Sequence, residues 1–193
     1  MKKILTILLV FIPFIGFAQN LVNFKLDSDA SFISPDEKDF IVVPFKGKNA
    51  HQIYKMLASN VGTVYKDPSK VMSGVDGASI KIRAFSRQLF TQKVLGISHA
   101  WEGYYQLEFR IKDGRVRVSA PIVEESIMAP TLEQNVFVAH KGWFPALVKK
   151  WFKNGAPKEK DLQKIEEVQT EMNGLINAIL GLAGTTSTVG DDW

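Results

Sequence analysis

Two alternating stretches around one Asp-Gly pair constrain the fold of this chain more than any other feature. In YYQLEFRIKDGRVRVSAPIV, residues 104–123, apolar side chains recur at every second position on both sides of Asp113-Gly114. Period-two alternation that flanks Asp-Gly is the strongest short-range signal for a β-hairpin. The sequence therefore predicts two antiparallel strands joined by a two-residue loop.

The same turn predicts the register of the hairpin. A two-residue type I′ loop pairs residues whose numbers sum to 227. The resulting pairs are all apolar: Ile111 with Val116, Phe109 with Val118, Leu107 with Ala120, and Tyr105 with Ile122. A slip by one residue would expose this whole face, at about 1–2 kcal/mol per side chain. Because two strands alone are marginally stable in water, the hairpin requires further strands and a covering layer.

A strand and a helix are predicted ahead of this hairpin. Residues 40–45 read FIVVPF, a strand in which Pro44 favours a sheet edge because proline cannot donate to a ladder. Asn49 is suited to cap a following helix, and Gly62 is suited to end it. Residues 20–38 mix polar and apolar side chains, which indicates a leader or an edge segment.

A second Asp-Gly pair, Asp76-Gly77, predicts another hairpin. Its predicted pairs, whose numbers sum to 153, are Val71 with Ile82 and Ser73 with Ile80. Residues 88–99 are compatible with an extension of the strand or with a long loop. Residues 136–138 are a weak strand candidate.

Helical periodicity dominates the C-terminal part, residues 143–183. One apolar stripe consists of Phe144, Leu147, Val148 and Trp151. Asn154-Gly155 is expected to end this helix, and Pro157 is expected to open a long helix with its own apolar stripe. A strand, a helix, four strands and then helices predict an α+β fold, in which helices pack on one face of a twisted antiparallel sheet.

The first 18 residues predict an export signal. Two lysines precede an apolar run over residues 4–17, and Gly16 and Ala18 place small side chains at a cleavage site. The run is shorter than the ~20 residues that a membrane span needs. We therefore expect a cleavable signal peptide over residues 1–18 and a periplasmic or cell-surface location.

Cleavage would leave one α+β domain over residues 19–183 and a flexible polar tail over residues 184–193. The chain has no cysteine, so neither a lipid anchor at the cleavage site nor a disulfide is expected. Without Lys2 and Lys3 the basic count falls from 24 to 22 against 20 acidic residues, a net charge of about +2. Near-neutral charge in an exported protein argues against nucleic acid as a partner.

Several stretches together resemble a known family. A strand at residues 40–45 and a helix at residues 49–61 precede YYQLEFRIKDGR at residues 104–115. WFKNG at residues 151–155 and the terminal residues 191–193 also match. In these stretches the chain is similar to small exported proteins of Gram-negative bacteria that carry a domain of unknown function. The resemblance implies a TATA-binding-protein-like fold, a curved antiparallel sheet that grips a helix. It implies neither an activity nor a catalytic residue.

The sequence contains no recognisable catalytic motif. Its three histidines stand far apart without metal-ligand spacing, and it lacks a Gly-x-Ser-x-Gly elbow and a phosphate-binding loop. We therefore expect a non-enzymatic protein without a cofactor or a metal. The alternative is a hydrolase whose site the fold assembles from distant residues, with these candidates: His99, His140, Glu124 and Glu125.

The polar positions of the main hairpin form a cationic cluster of four residues: Arg110, Lys112, Arg115 and Arg117. The predicted register sets Arg110 opposite Arg117 and Lys112 opposite Arg115, and like charges in that position are mildly destabilising. One interpretation is a face that binds an anion or a partner. The other, which the sequence alone favours, is a solvated face that Glu108 relieves and that discourages edge aggregation.

Two hypotheses concern partners. Residues 143–152 carry tryptophan and phenylalanine among lysines and are compatible with an interfacial membrane helix, although the corner at Asn154-Gly155 favours docking on the sheet. The leading hypothesis is a non-enzymatic binding or accessory protein of the cell envelope. Its partner would be another envelope protein or a small apolar ligand held between helix and sheet.

Overall fold

The computed structural model describes residues 21–128 and 141–182, with only the backbone described for residues 141–143. The strands are β1 (Lys25–Leu26), β2 (Phe32–Ile33), β3 (Phe40–Pro44), β4 (Met72–Val75), β5 (Ser79–Val94), β6 (Ile97–Lys112), β7 (Arg115–Ser119), β8 (Ile122–Met128), β9 (Lys141–Trp143), β10 (Phe152–Lys153) and β11 (Ala156–Pro157). The helices are α1 (Ala50–Val64), α2 (Pro68–Val71), α3 (Phe144–Val148) and α4 (Leu162–Leu180), with 3₁₀ turns at Lys149–Trp151 and Glu159–Asp161.

A curved antiparallel sheet forms the centre of the molecule. Its strands follow the order β3-β7-β6-β5-β4, and β8 lies beside β6 and pairs in turn with β9. Strands β1 and β2 form one small separate hairpin, and β10 and β11 form another. Helices α1 and α4 pack against each other and against the sheet. This architecture confirms the predicted α+β class, and β3 lies at a sheet edge as Pro44 indicates.

Alternation along β6 assigns one face of the sheet to the core. The buried residues of this strand include Tyr105, Leu107, Phe109 and Ile111, and α1 covers them with the buried side chains of Ile53, Leu57 and Val61. Each such side chain contributes roughly 1.5–3 kcal/mol when it is removed from water. The opposite face of β6 is consequently left to polar residues.

The hairpin at Asp113-Gly114 is confirmed near its turn. The pairs found there are Phe109 with Val118, Arg110 with Arg117, Ile111 with Val116, and Lys112 with Arg115. Farther from the turn the predicted register is wrong, because Tyr105 pairs with Val123 rather than with the exposed Ile122. Strand β7 ends before Pro121, which cannot donate to a ladder, and the chain returns to the sheet in β8 with a shift of one residue.

The turn itself differs from the predicted type I′. Gly114 has a φ of 73°, but Asp113 is not in the left-handed region, and a type I′ turn needs both residues there. The carboxylate of Asp113 instead accepts a hydrogen bond from the backbone N–H of Ala50, at 2.7 Å. The hairpin turn is therefore tied to the first residue of α1.

The second hairpin is shifted by one residue from its prediction. The observed pairs are Met72 with Ile82 and Gly74 with Ile80, instead of Val71 with Ile82 and Ser73 with Ile80. The loop contains three residues, and Ala78 closes it by donating to the carbonyl of Val75 at 3.0 Å. A three-residue loop changes the register by one relative to the two-residue loop that the prediction assumed.

Residues 88–94 and 97–99 belong to strands, so the segment extends the strand, which is one of the two predicted alternatives. They complete the 16-residue strands β5 and β6, which meet at Leu95-Gly96. The register is irregular at a β-bulge next to Gly103. A Cβ atom at Gly103 would collide with the carbonyl oxygen of Glu125 and lie 2.7 Å from Leu89 Cδ1. Glycine is therefore required where β8 crosses so close to β6.

Helix α1 begins as predicted and ends later. The Asn49 side chain accepts from the N–H of Gln52 at 2.9 Å, and the Gln52 side chain accepts from the N–H of Asn49 at 3.0 Å. This reciprocal pair is a capping box. The prediction that Gly62 ends the helix is wrong, because the helix continues to Val64. Packing against α4 outweighs the cost of an internal glycine, about 0.5–1 kcal/mol.

The prediction for the segment between α3 and α4 is partly wrong. The first helix is short and passes into the 3₁₀ turn at Lys149–Trp151. Asn154-Gly155 forms the two-residue turn between β10 and β11, with φ of 53° and 77°. Pro157 lies in β11, and α4 begins at Leu162. Asn-Gly favours a type I′ turn because both residues tolerate positive φ, a signal that the helical interpretation overlooked.

Residues 21–38, predicted as a leader or an edge segment, contribute to the core. Side chains of α4 bind the backbone here: Asn177, Asn173 and Gln169 accept from the N–H groups of Val22, Phe24 and Leu26 at 2.8, 2.8 and 2.7 Å. Four residues of helix advance about 6 Å, and two residues of strand advance about 6.6 Å. One row of side-chain amides on α4 can therefore accept hydrogen bonds from this segment as a neighbouring strand would.

Three predictions lie outside the described residues. They are the signal peptide over residues 1–18, the strand candidate at residues 136–138 and the tail over residues 184–193.

Candidate anion-binding site

The exposed face of β6 and β7 carries the four predicted cationic residues, here called the basic face: Arg110, Lys112, Arg115 and Arg117. Strand alternation places them together, because the residues between them are buried in the core. Arg110 lies opposite Arg117 and Lys112 lies opposite Arg115, as the turn predicts. Two adjacent rungs of the hairpin thus bring four positive side chains to one surface.

A cavity of about 300 Å³ is lined by the basic face and by Val42 of the edge strand β3. Val42 pairs with Arg117 in the β3–β7 register, and 48% of its surface is exposed. The methylene stems of lysine and arginine are themselves apolar. The cavity therefore combines apolar walls with positive charge. The sequence does not predict the contribution of Val42, because nothing local indicates that β3 pairs with β7.

Two of the four cations have partners within the protein. The Nε atom of Arg110 lies 3.2 Å from Glu108. Arg117 lies 3.7 Å from the highly exposed Asp39, and its guanidinium sits 4.1 Å from the ring centroid of Phe40. Ion pairs on a solvated surface contribute little, about 0–1 kcal/mol. These contacts therefore add little to the stability of the fold.

The other two cations, Lys112 and Arg115, have no ionic or hydrogen-bonding partner among the residues that the structure describes. They face each other beside the turn, where like charges repel. An anion placed between them would relieve this repulsion. This pair is therefore the part of the basic face with the largest unsatisfied charge.

Glu108 reduces the repulsion between positive charges at one end of the basic face, as the sequence predicts. Its carboxylate contacts Arg110 at 3.2 Å and Lys81 at 3.7 Å, and it accepts from the Ser119 hydroxyl at 3.4 Å. Partial burial opposes its ionisation, but Arg110 and Lys81 prevail, and the pKa of Glu108 is lowered. The carboxylate is charged at neutral pH, yet it compensates only one side of the cluster.

A second polar cluster lies farther along the same face. Arg83 forms a bidentate pair with Glu124, at 2.9 and 2.7 Å, and stacks 4.6 Å from the ring centroid of Tyr104. Gln106 donates to the same carboxylate at 2.6 Å. The hydrogen bonds from Arg83 and Gln106 hold the pKa of Glu124 below its usual range despite partial burial. The carboxylate of Glu124 therefore already accepts three hydrogen bonds from Arg83 and Gln106.

The structure does not bring the predicted hydrolase residues together. His99 is buried on the core side of β6, whereas Glu124 points to the opposite face with Arg83. Glu125 pairs with Tyr104, five residues along β6 from His99, which is a separation of roughly 16 Å. His140 lies outside the described residues. His99 and the two glutamates thus form no common site.

One histidine–carboxylate pair that the sequence analysis missed occurs elsewhere. His51 Nδ1 lies 2.8 Å from Asp76 Oδ1, and each side chain is 53% exposed. No local signal connects these residues, because the pair forms only when the turn after β4 reaches the start of α1. Among the described residues, no three His, Asp or Glu side chains gather as a metal site would require.

The segment of residues 143–152 is docked on the protein. Phe144, Val148 and Trp151 are buried, and Trp151 packs edge-to-face on Phe90 with ring centroids 5.0 Å apart. These side chains are not available to lipid without unpacking. Among the helices that the structure describes, none is long and apolar enough to span a membrane.

The fold belongs to the class that the sequence analysis expects. The chain is similar to a TBP-like protein from Parabacteroides distasonis, whose crystal structure aligns with a TM-score of 0.50. The alignment covers 77% of this chain and 92% of the other, at 11% sequence identity. A similarity at this identity establishes a TATA-binding-protein-like fold and nothing about function. No family model and no curated protein matches the chain.

Proposed function

We propose that this protein is a non-enzymatic binding protein of the cell envelope that engages an anionic group through its basic face. The observation that carries the proposal is the pair of Lys112 and Arg115, two opposed cations without partners among the described residues, at the side of a 300 Å³ cavity. The protein folds despite the repulsion between these two cations. An anion bound between them would attract both and make the electrostatic interaction favourable.

The location in the envelope rests on the sequence of residues 1–18, which has the charge, apolar run and small residues of an export signal. The resemblance to exported Gram-negative proteins with a domain of unknown function points the same way. The partner is then an anionic group on another envelope protein or on a small molecule. An apolar ligand between helix and sheet has less support, because α1 fills that space with Ile53, Leu57 and Val61.

Titration of the isotope-labelled protein with inorganic pyrophosphate, followed by NMR, tests the proposal. We expect amide shifts to change at residues 110–117, with an affinity that falls as salt concentration rises. The double variant Lys112→Gln, Arg115→Gln should weaken binding about tenfold or more, because each lost charge-assisted hydrogen bond contributes about 1.5–3 kcal/mol. Both side chains are exposed, so the fold should be unaffected.

The matched control is Lys149→Gln, Lys150→Gln. It removes the same charge from two exposed lysines in a different part of the protein. Equal weakening in both double variants would mean that net charge, and not the basic face, attracts the anion. An absence of shifts at residues 110–117 would contradict the proposal outright.

A further inference from the structure

The two longest strands end in an apolar tip. Strands β5 and β6 are joined by Leu95-Gly96, and Leu95 is 95% exposed, the highest value among the large apolar residues of the described chain. Val94 is 36% exposed, and Ile97 is half-buried. Together, Val94, Leu95 and Ile97 form what we call the hairpin tip. The tip presents aliphatic surface to water at the end of a ribbon.

Within the part of the chain that the structure describes, the ribbon of β5 and β6 extends beyond the neighbouring strand β8. β6 pairs with β8 as far as Trp101, and beyond it β6 pairs only with β5 among the described residues. Four further rungs, from Thr91 with Ala100 to Val94 with Ile97, lead to the turn. At about 3.3 Å per residue, these rungs extend roughly 13 Å. Among the described strands of the sheet, the tip therefore lies beyond the end of β8.

The backbone at the tip is unfavourable for leucine. Leu95 has a φ of 51° and Gly96 a φ of 84°, which are the positive values of a type I′ turn. Asparagine, aspartate and glycine tolerate this conformation, whereas leucine does so rarely. Leu95 thus combines backbone strain with an exposed side chain, and it makes no compensating contact within the described protein. An external apolar phase that received the side chain would remove the cost of its exposure and offset the backbone strain.

The chemistry around the tip fits a lipid surface better than a protein pocket. Residues 91–98 read TQKVLGIS, with Lys93 as the one charged residue. Anionic headgroups attract a lysine beside an apolar tip. Protein-binding hot spots instead favour tryptophan, tyrosine and arginine, and leucine and valine are under-represented there.

We propose that the hairpin tip inserts into the headgroup region of an anionic lipid bilayer, with Leu95 as the inserted side chain and Lys93 at the phosphates. The basic face lies near the opposite end of β6, about 50 Å along the strand at 3.3 Å per residue. The two sites share no residue. One end would contact a membrane, and the other would remain free to bind an anionic partner.

A single fluorescent label can test insertion, because the chain has no cysteine. Ser98→Cys places an environment-sensitive nitrobenzoxadiazole group beside the tip and leaves Leu95 intact. With vesicles of equal phosphatidylglycerol and phosphatidylcholine, we expect its emission to rise and move to shorter wavelength. The same label at Ser73→Cys, an exposed serine of β4, is the matched control and should not respond.

Leu95→Asn separates insertion from stability. Asparagine suits the positive φ, so the melting temperature should stay equal or rise, while vesicle affinity should fall about tenfold or more with the loss of the leucine. Val75→Asn, which removes a 63%-exposed valine at the other hairpin, should leave vesicle binding unchanged. Lys93→Glu should weaken binding to phosphatidylglycerol vesicles.

Three outcomes would overturn the proposal. They are a label at residue 98 that does not respond to vesicles, an affinity that Leu95→Asn does not change, and a response that appears without vesicles through self-association. Because the variants Leu95→Asn and Lys93→Glu leave the basic face intact, pyrophosphate binding remains measurable in them. A failure of insertion is therefore distinguishable from a failure of the proposed anion binding.

Discussion

Glu171 of α4 carries a partly buried carboxyl group between that helix and the sheet. It accepts a hydrogen bond from the Ser86 hydroxyl at 2.9 Å. Burial raises the pKa of Glu171, and the hydrogen bond from Ser86 opposes this shift without cancelling it. In the same region the hydroxyl groups of Tyr65 and Tyr105 are 2.8 Å apart, and burial raises the pKa of Tyr65 to about 12. These groups are harder to ionise than they would be in water.

We expect Glu171→Gln to change how stability depends on pH. Since the folded pKa of Glu171 lies above its ordinary value of 4.5, the folded state retains this proton when the unfolded chain has lost it. Stability therefore falls as the pH rises between the unfolded and the folded pKa, and the loss persists above the folded value. Urea unfolding over a pH series should show a smaller fall in Glu171→Gln.

Glu166→Gln on the same helix is the matched control for this measurement, because Glu166 is exposed. If both variants changed the pH profile equally, loss of a surface charge would explain the effect. A profile identical to that of the wild type in Glu171→Gln would show that burial does not perturb this carboxyl group.

At the scale of elements, α4 fixes the irregular part of β5. Glu171 binds Ser86 on one side of the bulge, and Glu167 accepts from the backbone N–H of Thr91 on the other. A bulge bends its strand and increases its twist. On the neighbouring strand, Gly103 provides the space in which β8 passes. The helix, the bulge and the glycine together determine the path of the ribbon.

Gly103→Ala should destabilise the protein by about 3 kcal/mol or more, because its Cβ has no room and the obstructing atom is backbone. The matched control is Gly174→Ala. A Cβ at Gly174 meets nothing within 4 Å, and alanine in a helix interior should stabilise by about 0.5–1 kcal/mol. Chemical denaturation of both variants measures the contrast. Equal stability of Gly103→Ala and the wild type would mean that β8 does not approach β6 as described.

For the molecule as a whole, an aromatic cluster joins the C-terminal segment to the sheet. Trp151 is 3% exposed and meets Phe90 and Phe144 at centroid distances of 5.0 and 6.1 Å. Phe90 stacks in turn on Trp101, at 5.3 Å. The cluster connects the end of α3 with the ribbon of β5 and β6.

We expect Trp151→Ala to lower the free energy of unfolding by about 3–5 kcal/mol, because it leaves a large cavity in this cluster. Urea unfolding followed by circular dichroism measures the loss. Vesicle binding by molecules that remain folded should be unchanged, since the hairpin tip is intact. A Trp151→Ala variant with an unchanged melting temperature and no vesicle binding would instead identify residues 143–152 as the membrane contact.

The sequence by itself determined the elements that depend on local patterns. The two alternating stretches on either side of Asp113-Gly114 place four cations on one face, because successive strand side chains point to opposite sides. The turn at Asp113-Gly114 sets the register in which they pair: Arg110 with Arg117, and Lys112 with Arg115. The capping box at Asn49 is equally local. Glu108 as the partner of one arginine also follows from spacing along the strand.

Only the tertiary structure decided how these elements combine. It brought Val42 to the basic face, joined His51 to Asp76, and set a row of side-chain amides on α4 beside residues 22–26 as hydrogen-bond acceptors. The physical reason is that such contacts depend on which strands pair and on where helices pack. Burial of the whole core determines both, and no local pattern encodes either of them.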